Sequence, residues 1–236
     1  MTERGARHVQ RNAREFVVGP SRLRWDGQAL CFDLDEIANP LPRRVRGTVR
    51  VMPRALSNFV APLDDAGRHR WGPIAPCARV EVDMAQPGLK WAGHGYLDSN
   101  EGDEPIDRPF VDWDWSRATL ADGSTAVIYD VRQKAGPDRV ITRHFHPDGR
   151  HEAFEPPPRH ELPSTTWRIR RRMRSDAAVA PRVVQTLEDT PFYTRSMLDS
   201  SLFGQRVQSV HETLDVPRLV SLPVRLMLPW RMPRRG

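Results

Sequence analysis

Short strand-like runs separated by turn residues constrain this 236-residue chain more than any other feature of its sequence. Asp-Gly pairs stand at 26–27, 122–123 and 148–149, each between two such runs. A glycine after an aspartate readily adopts the positive φ that a tight hairpin turn requires. The 22 prolines disfavour long helices and mark connections between strands. The pattern therefore predicts antiparallel strands joined as hairpins.

Nine runs have the alternation of β-strands: Leu23–Trp25, Leu30–Leu34, Val45–Val51, Val80–Met84, Ala126–Tyr129, Val140–Phe145, Trp167–Met173, Val183–Leu187 and Val207–Leu214. Only residues 190–203 and the C-terminal end have a pattern that allows a helix. Many short strands with short turns favour closed or nearly closed barrels, which remove sheet edges and can enclose an apolar ligand. We therefore predict an all-β protein built from antiparallel barrels.

The length suits one large all-β domain or two small ones. We predict a first β domain over residues 1–108, a second over 109–216 and a basic amphipathic segment over 217–236. This last segment alternates apolar residues with arginine and contains no acid. It either lies on a membrane surface, with Trp230 at the headgroup level, or packs its apolar side on the protein. The N-terminal residues are polar, and no apolar run approaches the roughly 20 residues of a membrane span, so we expect a soluble or peripheral protein.

Basic residues outnumber acidic residues by 36 to 30, and nearly all of them are arginine. The densest run, RIRRRMR at 168–174, alternates and predicts a strand with one arginine face. No zinc-finger, RNP or helix-turn-helix pattern accompanies the charge, so we expect no nucleic-acid partner. Cys31 and Cys77 stand alone and are expected to be reduced thiols, as in a cytoplasmic protein. No phosphate-binding glycine loop is present, so we expect no nucleotide cofactor.

Three histidines around the third Asp-Gly turn resemble a metal site. His144 and His146 share one strand face by alternation, and His151 follows the turn. Exposed hairpin histidines beside arginines are far more common than metal ligands. We therefore predict no metal here.

Aromatic and polar residues are concentrated in HRW at 69–71, Trp91, GHGYLDSNEGDEP at 93–105 and FVDWDW at 110–115. On extended backbone, His69 and Trp71 share a face, and so do Tyr96 and Asp98. A carboxylic acid among aromatic rings keeps its proton to higher pH, and such an acid can protonate a weak base. Ring faces can stabilise the resulting cation. The alternative is that the rings form core and that Asp98 caps a turn.

The chain resembles the carotenoid 1,2-hydratases, also called hydroxyneurosporene synthases, of phototrophic bacteria. The resemblance rests on HRWGPIAPCARVEVDM, WAGHGYLDSNEGDEP, WDWSRA, AVIYD and the ending LPVRLMLPWRMPR, and it runs nearly the whole length. Members of this family that carry further N-terminal sequence indicate that the present chain begins inside the family pattern.

The resemblance implies a lipocalin-like fold and cofactor-independent addition of water to the terminal C1–C2 double bond of acyclic carotenoids such as neurosporene and lycopene. It implies Asp98 as proton donor, with His69, Trp71 and Tyr96 as its catalytic partners. We expect Trp91, Trp113 and Trp115 to contact the substrate. The expected location is the cytoplasm, peripherally on the inner photosynthetic membrane. Two rival hypotheses are a lipocalin-like protein that binds a carotenoid or other lipid without reaction, and a hydratase of another isoprenoid.

Overall fold

The computed structural model describes residues 3–39, 41–176, 179–231 and 234–235, with side chains for 4–39, 41–176 and 179–227. The first nine strands are β1 (Glu3–Arg4), β2 (Val9–Arg11), β3 (Glu15–Val18), β4 (Ser21–Trp25), β5 (Leu30–Ile37), β6 (Arg44–Pro53), β7 (Ala61–Pro62), β8 (His69–Gln86) and β9 (Leu89–Gly102). The later strands are β10 (Phe110–Thr119), β11 (Thr125–Gln133), β12 (Arg139–Phe145), β13 (His151–Glu152), β14 (Arg159–Glu161), β15 (Arg172–Arg174), β16 (Arg182–Asp189), β17 (Tyr193–Leu202), β18 (Gln205–Asp215) and β19 (Arg234–Arg235).

Helix is confined, within the described residues, to a 3-10 turn (Ala6–His8), α1 (Val216–Leu219) and α2 (Leu222–Arg231). The all-β prediction is thus confirmed, and the strands of both main sheets pair antiparallel. One sheet has the order β2-β3-β4-β5-β6-β8-β7, with β9 also on β8; the other has the order β13-β12-β11-β10-β18-β17-β16. Neither order returns to its first strand in the described part of the chain, so the predicted barrels are present as open sheets.

The three Asp-Gly pairs form the predicted turns. Gly27, Gly123 and Gly149 have φ of +103°, +81° and +91°, in the region that favours glycine. They join β4 to β5, β10 to β11 and β12 to β13, all antiparallel pairs. In each turn the aspartate Oδ1 accepts the backbone N–H two residues further on, which fixes the turn locally.

The chain forms two compact units. The first contains residues 1–56, 75–97 and 225–236, and the second contains 57–74 and 98–224. This division differs from the predicted boundary at residue 108, because the long strands β8 and β9 contribute residues to both units.

The first unit is a meander of strands whose apolar side chains pack on β8 and β9. Its core contains Val51, Ala75 and Ala78, surrounded by Leu30, Phe32, Val49, Val80 and Leu97. Both cysteines, Cys31 and Cys77, are free and buried, as predicted for reduced thiols.

The second unit is built on the seven-stranded sheet, whose two faces differ in chemistry. Trp115 of β10 is paired with Tyr129 of β11, and the next pair along is Asp114 with Asp130. Residues directly opposite on antiparallel strands point to the same side, and successive residues alternate. The sheet therefore has an aromatic face, carrying Trp113, Trp115 and Tyr129, and an arginine face, on which Asp114, Asp130 and Arg132 meet the arginines of β14 and β15.

Two sequence predictions are wrong in this unit. Residues 190–203 are not helical, because β17 occupies most of that range and buries Thr194, Ser196 and Ser200 on alternate positions. In the predicted strand Trp167–Met173, regular pairing is limited to β15, which begins at Arg172. A turn closed by the Arg168 amide to the Thr165 carbonyl precedes it, and Arg168 has a positive φ of 56°.

The C-terminal end is helical, as predicted. Asp215 caps α1 by accepting the Arg218 amide, and α2 follows. Leu222 and Leu226, one turn apart on α2, are 69% and 65% exposed. The side chain of Trp230, predicted to lie at the headgroup level, falls outside the described residues. No helix in the described part of the chain is long and apolar enough to cross a membrane.

Candidate active site

A carboxyl group of β9 is held by an indole of the paired strand β8. Trp71 donates its Nε1–H to Asp98 Oδ2 over 2.8 Å. Trp71 is fully buried, and Asp98 is half-buried. Because an indole nitrogen can only donate, it engages Oδ2 whether the acid is neutral or ionised. In the neutral acid Oδ2 is then the carbonyl oxygen, and the acidic proton lies on Oδ1.

Buried His69 has both ring nitrogens in hydrogen bonds. Nδ1 lies 2.7 Å from Asp64 Oδ2, and Nε2 lies 2.9 Å from the carbonyl oxygen of Glu104. Both partners are acceptors, so both bonds are satisfied when each ring nitrogen carries a proton. Burial raises the pKa of Asp64, but hydrogen bonds from the His69 ring and from nearby amides outweigh it and leave that pKa below its ordinary value. His69 is thus held between Asp64 and the Glu104 carbonyl.

Gly102 lets the acidic loop approach this histidine. A methyl group at Gly102 would lie 2.8 Å from Cδ2 of His69 and 3.3 Å from the Glu104 carbonyl oxygen. Any larger residue would therefore force the loop and the histidine ring apart. Gly102 is the last residue of β9, and close approach rather than a turn explains it.

The other acids of the loop hold it to β8 and the segment before it. Asp103 pairs with Arg70 at 3.0 Å, and Glu104 pairs with Arg68 at 2.9 Å. The Arg70 hydrogen bond and charge lower the pKa of Asp103. These two acids therefore anchor the segment through arginines, whereas Asp98 receives a hydrogen bond from a neutral donor.

Aromatic rings surround the indole that holds Asp98. We call Phe59, Trp71, Phe110, Trp113 and Tyr129 the aromatic cluster. Their rings meet edge to face. The ring centroid of Trp71 lies 5.7 Å from that of Tyr129 and 6.0 Å from that of Phe59. The ring centroid of Trp113 lies 6.2 Å from that of Tyr129 and 5.9 Å from that of Phe110. Edge-to-face pairs are the favoured packing of rings and fix their orientation. Apolar, polarisable surface is thereby held beside the carboxyl group.

Tyr129 was not among the residues predicted for the site. Burial, followed by the charge of Asp98, raises the pKa of its phenol. Its ring therefore lies within the electrostatic influence of Asp98 and remains neutral. The sequence feature that could have identified Tyr129 is the Asp-Gly turn at 122–123. This turn joins β10 to β11, and the register of that pair places Tyr129 opposite Trp115. Asp64 gave no comparable signal, because nothing in its spacing from His69 indicates a contact.

Five of the seven residues predicted for the site belong to the second unit. His69, Trp71, Asp98 and Trp113 lie in or beside the aromatic cluster, and buried Trp115 is on the aromatic face next to Tyr129. The other two residues, Tyr96 and Trp91, belong to the first unit. Tyr96 is half-buried, and Trp91 is 47% exposed. The roles predicted for all seven residues stay predictions.

The opposite face of the same sheet carries paired charges. Asp130 is contacted by Arg174 at 2.8 Å and by Arg159 at 3.1 Å. Asp114 is contacted by Arg132 at 3.1 Å and accepts a hydrogen bond from Thr213 at 2.6 Å. The arginines of the RIRRRMR run that belong to β15 therefore meet buried carboxylates.

The histidines of the third turn are separated by strand alternation. His144 is paired with Glu152, and His151 is paired with Phe145, so His151 points to the other side of the sheet. His144 and His146 lie together with Asp122, which comes from the turn between β10 and β11. The three predicted histidines therefore do not form one cluster.

The site thus combines an acid oriented by an indole with a cluster of aromatic rings in an antiparallel β fold. The family model described as carotenoid hydratase CrtC matches residues 1–236. The chain therefore belongs to the carotenoid hydratase family.

Curated relatives agree with this assignment. The chain is 64% identical over 236 residues to the acyclic carotenoid 1,2-hydratase of Rubrivivax gelatinosus and 49% identical over 237 residues to that of Thiocapsa roseopersicina. Each match covers 100% of this chain and 58% of the relative. The protein of the same name from Cereibacter sphaeroides is 37% identical, with 84% of its length covered. The chain thus spans less than two thirds of the length of the first two relatives.

Proposed function

We propose that this chain adds water to the terminal C1–C2 double bond of acyclic carotenoids such as neurosporene or lycopene, without a cofactor. The observation that carries the proposal is the 2.8 Å hydrogen bond from Trp71 to Asp98 beside the aromatic cluster. The names of the relatives supply the substrate class. The geometry supplies the acid and its surroundings.

The first step is proton transfer from Asp98 to carbon. The indole of Trp71 engages Oδ2, so the proton on Oδ1 is the one to be delivered. The π electrons of the double bond form the new C2–H bond, and the positive charge develops at tertiary C1. Addition in this direction follows from the greater stability of the tertiary cation. Asp98 is left as a carboxylate.

The second requirement is stabilisation of the cation at C1. A cation over an aromatic face gains about 0.5–2 kcal/mol, with the larger values in desolvated sites. Trp71 and Tyr129 are proposed to supply this stabilisation, and the new carboxylate adds an opposite charge. Tyr96, two residues before Asp98 in β9, is proposed as a further ring, and Trp91, Trp113 and Trp115 as substrate contacts.

Water completes the reaction. A water molecule attacks C1 and loses a proton to the Asp98 carboxylate, which restores the neutral acid and gives the 1-hydroxy product. Two groups are candidates to orient this water: His69 and the Asp98 carboxylate. Its ring nitrogens are engaged by Asp64 and the Glu104 carbonyl, which favours the aspartate. We therefore propose His69 as a positioning residue for the loop that follows Asp98.

A carotenoid substrate resides in membrane, and the proposal includes peripheral loading from an anionic surface. The exposed Leu222 and Leu226 of α2, together with exposed Arg225, support it. Exposed apolar and basic side chains on one short helix favour the interface of an anionic bilayer.

The reaction is tested with lycopene or neurosporene in liposomes and water labelled with heavy oxygen, followed by mass spectrometry of the product. We expect a labelled hydroxyl from the wild type and none from Asp98→Asn. The matched control is Asp103→Asn, which removes an anchoring acid five residues away and should retain labelling. Carotenoid binding without labelled product from the wild type would contradict hydration and favour the binding-protein hypothesis.

Membrane loading is tested by sedimentation with vesicles that contain phosphatidylglycerol. We expect binding that weakens with added salt and is reduced by Leu226→Asp. The control is Leu56→Asp, since Leu56 is 61% exposed but lies outside α2. Salt-independent binding that survives Leu226→Asp would contradict this part of the proposal.

A further inference from the structure

We propose that Asp122, His144, His146 and Glu152 form a binding site for one divalent transition-metal ion of the zinc class. These residues come from two neighbouring turns of the second unit, one between β10 and β11 and one between β12 and β13. The inference is independent of the proposed function, and it departs from the sequence-based expectation that no metal is bound.

The donor atoms already converge. One ligand atom each from Asp122, His144 and His146 lies within 4.8 Å of the others. Glu152 Oε1 lies 3.3 Å from His146 Nε2 and 3.7 Å from His144 Nδ1. Donors at about 2.0–2.2 Å from a tetrahedral zinc ion are separated by roughly 3.4 Å. The four residues thus supply two nitrogen and two oxygen donors, with Glu152 placed on the histidine side of the group.

Strand register places these groups without strain. His144 and Glu152 are directly opposite on β12 and β13, so their side chains lie on one face. The His146 amide donates to the Arg150 carbonyl at 2.9 Å, which closes the turn between them. Metal ligands on two strands of a closed hairpin lose little further conformational freedom on binding.

A hydrogen-bond chain selects the tautomer of His144 that a metal needs. His144 Nε2 lies 2.7 Å from Ser124 Oγ, and Ser124 Oγ donates to Asp122 Oδ1 at 2.5 Å. Since the hydroxyl proton goes to Asp122, Ser124 accepts the proton on Nε2. His144 Nδ1 is then left with its lone pair toward Glu152. Ligating histidines commonly donate their other ring N–H in this way, which fixes the ring and raises its basicity.

Aromatic packing shields one side of the cluster. Phe203, in the turn between β17 and β18, stacks on the His144 ring with centroids 5.0 Å apart, and Phe154 packs against Phe203 at 4.9 Å. Two imidazoles and two carboxylates match zinc and its borderline neighbours better than calcium or magnesium, which prefer oxygen ligands only. The bound ion would join two hairpin ends of the sheet.

The test uses the 236-residue chain purified without a polyhistidine tag and dialysed against a chelator. Zinc alone is titrated by calorimetry, and cobalt(II) is titrated with visible spectroscopy as a report on the coordination. We expect one equivalent to bind with the absorption of a four-coordinate nitrogen and oxygen site.

Variants identify the ligands. His146→Ala and Asp122→Asn should each weaken zinc binding by at least about tenfold, and the asparagine retains an oxygen for the turn hydrogen bond. The matched control, His151→Ala, removes a histidine of the opposite face and should leave affinity within about twofold. Circular dichroism checks that each variant is folded. Non-saturable binding, or an equal loss in His146→Ala and His151→Ala, would overturn the proposal.

Discussion

The aromatic face and the arginine face of the seven-stranded sheet treat acidic side chains in opposite ways. Tyr129 and Asp130 are neighbours in β11 and point to opposite faces. Beside Tyr129, the carboxyl group of Asp98 is held by an indole. On the other face, Asp130 is contacted by Arg159 and Arg174.

The difference shows how one sheet accommodates two kinds of carboxyl group. Asp114 and Asp130 are directly opposite each other, and like charges in that position repel. Arg159 and Arg174 pair with Asp130, whereas burial, helped by the charge of Asp130, raises the pKa of Asp114 to about 7. Both acids are held within the fold, which makes this face a structural element. A proton donor needs surroundings without a neighbouring arginine, because an adjacent arginine would hold the acid ionised. The aromatic face offers Asp98 a neutral donor and ring surfaces.

The largest expected effect lies on the arginine face. Asp130→Ala removes a buried carboxylate and leaves half-buried Arg174 and exposed Arg159 without it. Because both arginines keep access to water, we expect a loss of about 3 kcal/mol of the free energy of unfolding, the lower end of the cost of breaking a buried pair. Urea denaturation measures it. The matched variant Asp98→Asn on the aromatic side should stay within about 1 kcal/mol of wild type. Equal losses would remove the distinction between the faces.

The pH dependence of the unfolding free energy tests the same face through His211. Burial lowers the pKa of His211 to about 4 from its ordinary 6.5. Between these values the unfolded chain binds a proton that the folded chain does not, so this histidine reduces stability as the pH falls from 6.5 to 4. His211→Gln, whose amide can still donate to the Arg172 carbonyl, removes the effect. The stability gap between wild type and variant should shrink by up to about 3 kcal/mol over that range.

Asp114 provides the control of opposite sign for this series. Burial raises its pKa to about 7, so the folded chain holds a proton that the unfolded chain has lost between about 4 and 7. The gap between wild type and Asp114→Asn should therefore widen as the pH falls. If both stability differences, wild type minus His211→Gln and wild type minus Asp114→Asn, changed in the same direction with pH, the pKa shifts assigned to these two residues would be contradicted.

On the aromatic face, Trp71→Phe keeps a ring but removes the hydrogen bond to Asp98. Hydrogen bonds to charged groups are worth about 1.5–3 kcal/mol, so we expect hydration to slow by about 10–100-fold. The rate of product formation at saturating carotenoid measures it. A similar loss in Trp113→Phe, which lacks this bond to the acid, would show that ring size and not the N–H is responsible.

The smallest expected effect is at Tyr129. Replacement by leucine removes the ring face proposed to stabilise the cation and should slow hydration by about 2–30-fold, which corresponds to 0.5–2 kcal/mol. Tyr129→Phe keeps the face and should remain near wild type. Equal loss in both variants would point to the hydroxyl instead.

The sequence predicted the parts of the fold that are set locally. The Asp-Gly turns and the apolar alternation of β5, β6 and β18 identified strands because turn chemistry and side-chain period act over a few residues. Strand β17 was missed because most of its buried positions are serine or threonine, with Leu198 and Leu202 the exceptions, so burial alternates without a clear apolar alternation. The arginine run was interpreted as one strand face. Its partners, Asp114 and Asp130, lie up to about 60 residues earlier in the sequence, and only the sheet register brings them to the arginines.

The candidate site, like the fold, was predicted in part. Asp98 and Trp71 were identified through motif resemblance and strand alternation, and the structure places them in contact. Asp64 and Tyr129 were missed because their positions depend on long-range pairing. The contact between Asp64 and His69 also gives His69 a structural partner that the sequence did not indicate.

The most direct test of the account is hydrogen transfer in deuterium oxide. We expect the wild type to place one deuterium on C2 of the carotenoid and Asp98→Asn to do so about 10²–10⁴-fold more slowly, the usual contribution of a general acid. Asp98→Asn should keep its unfolding free energy, so the loss is chemical. Deuterium transfer by Asp98→Asn at the wild-type rate would contradict the assignment of Asp98 as the proton donor.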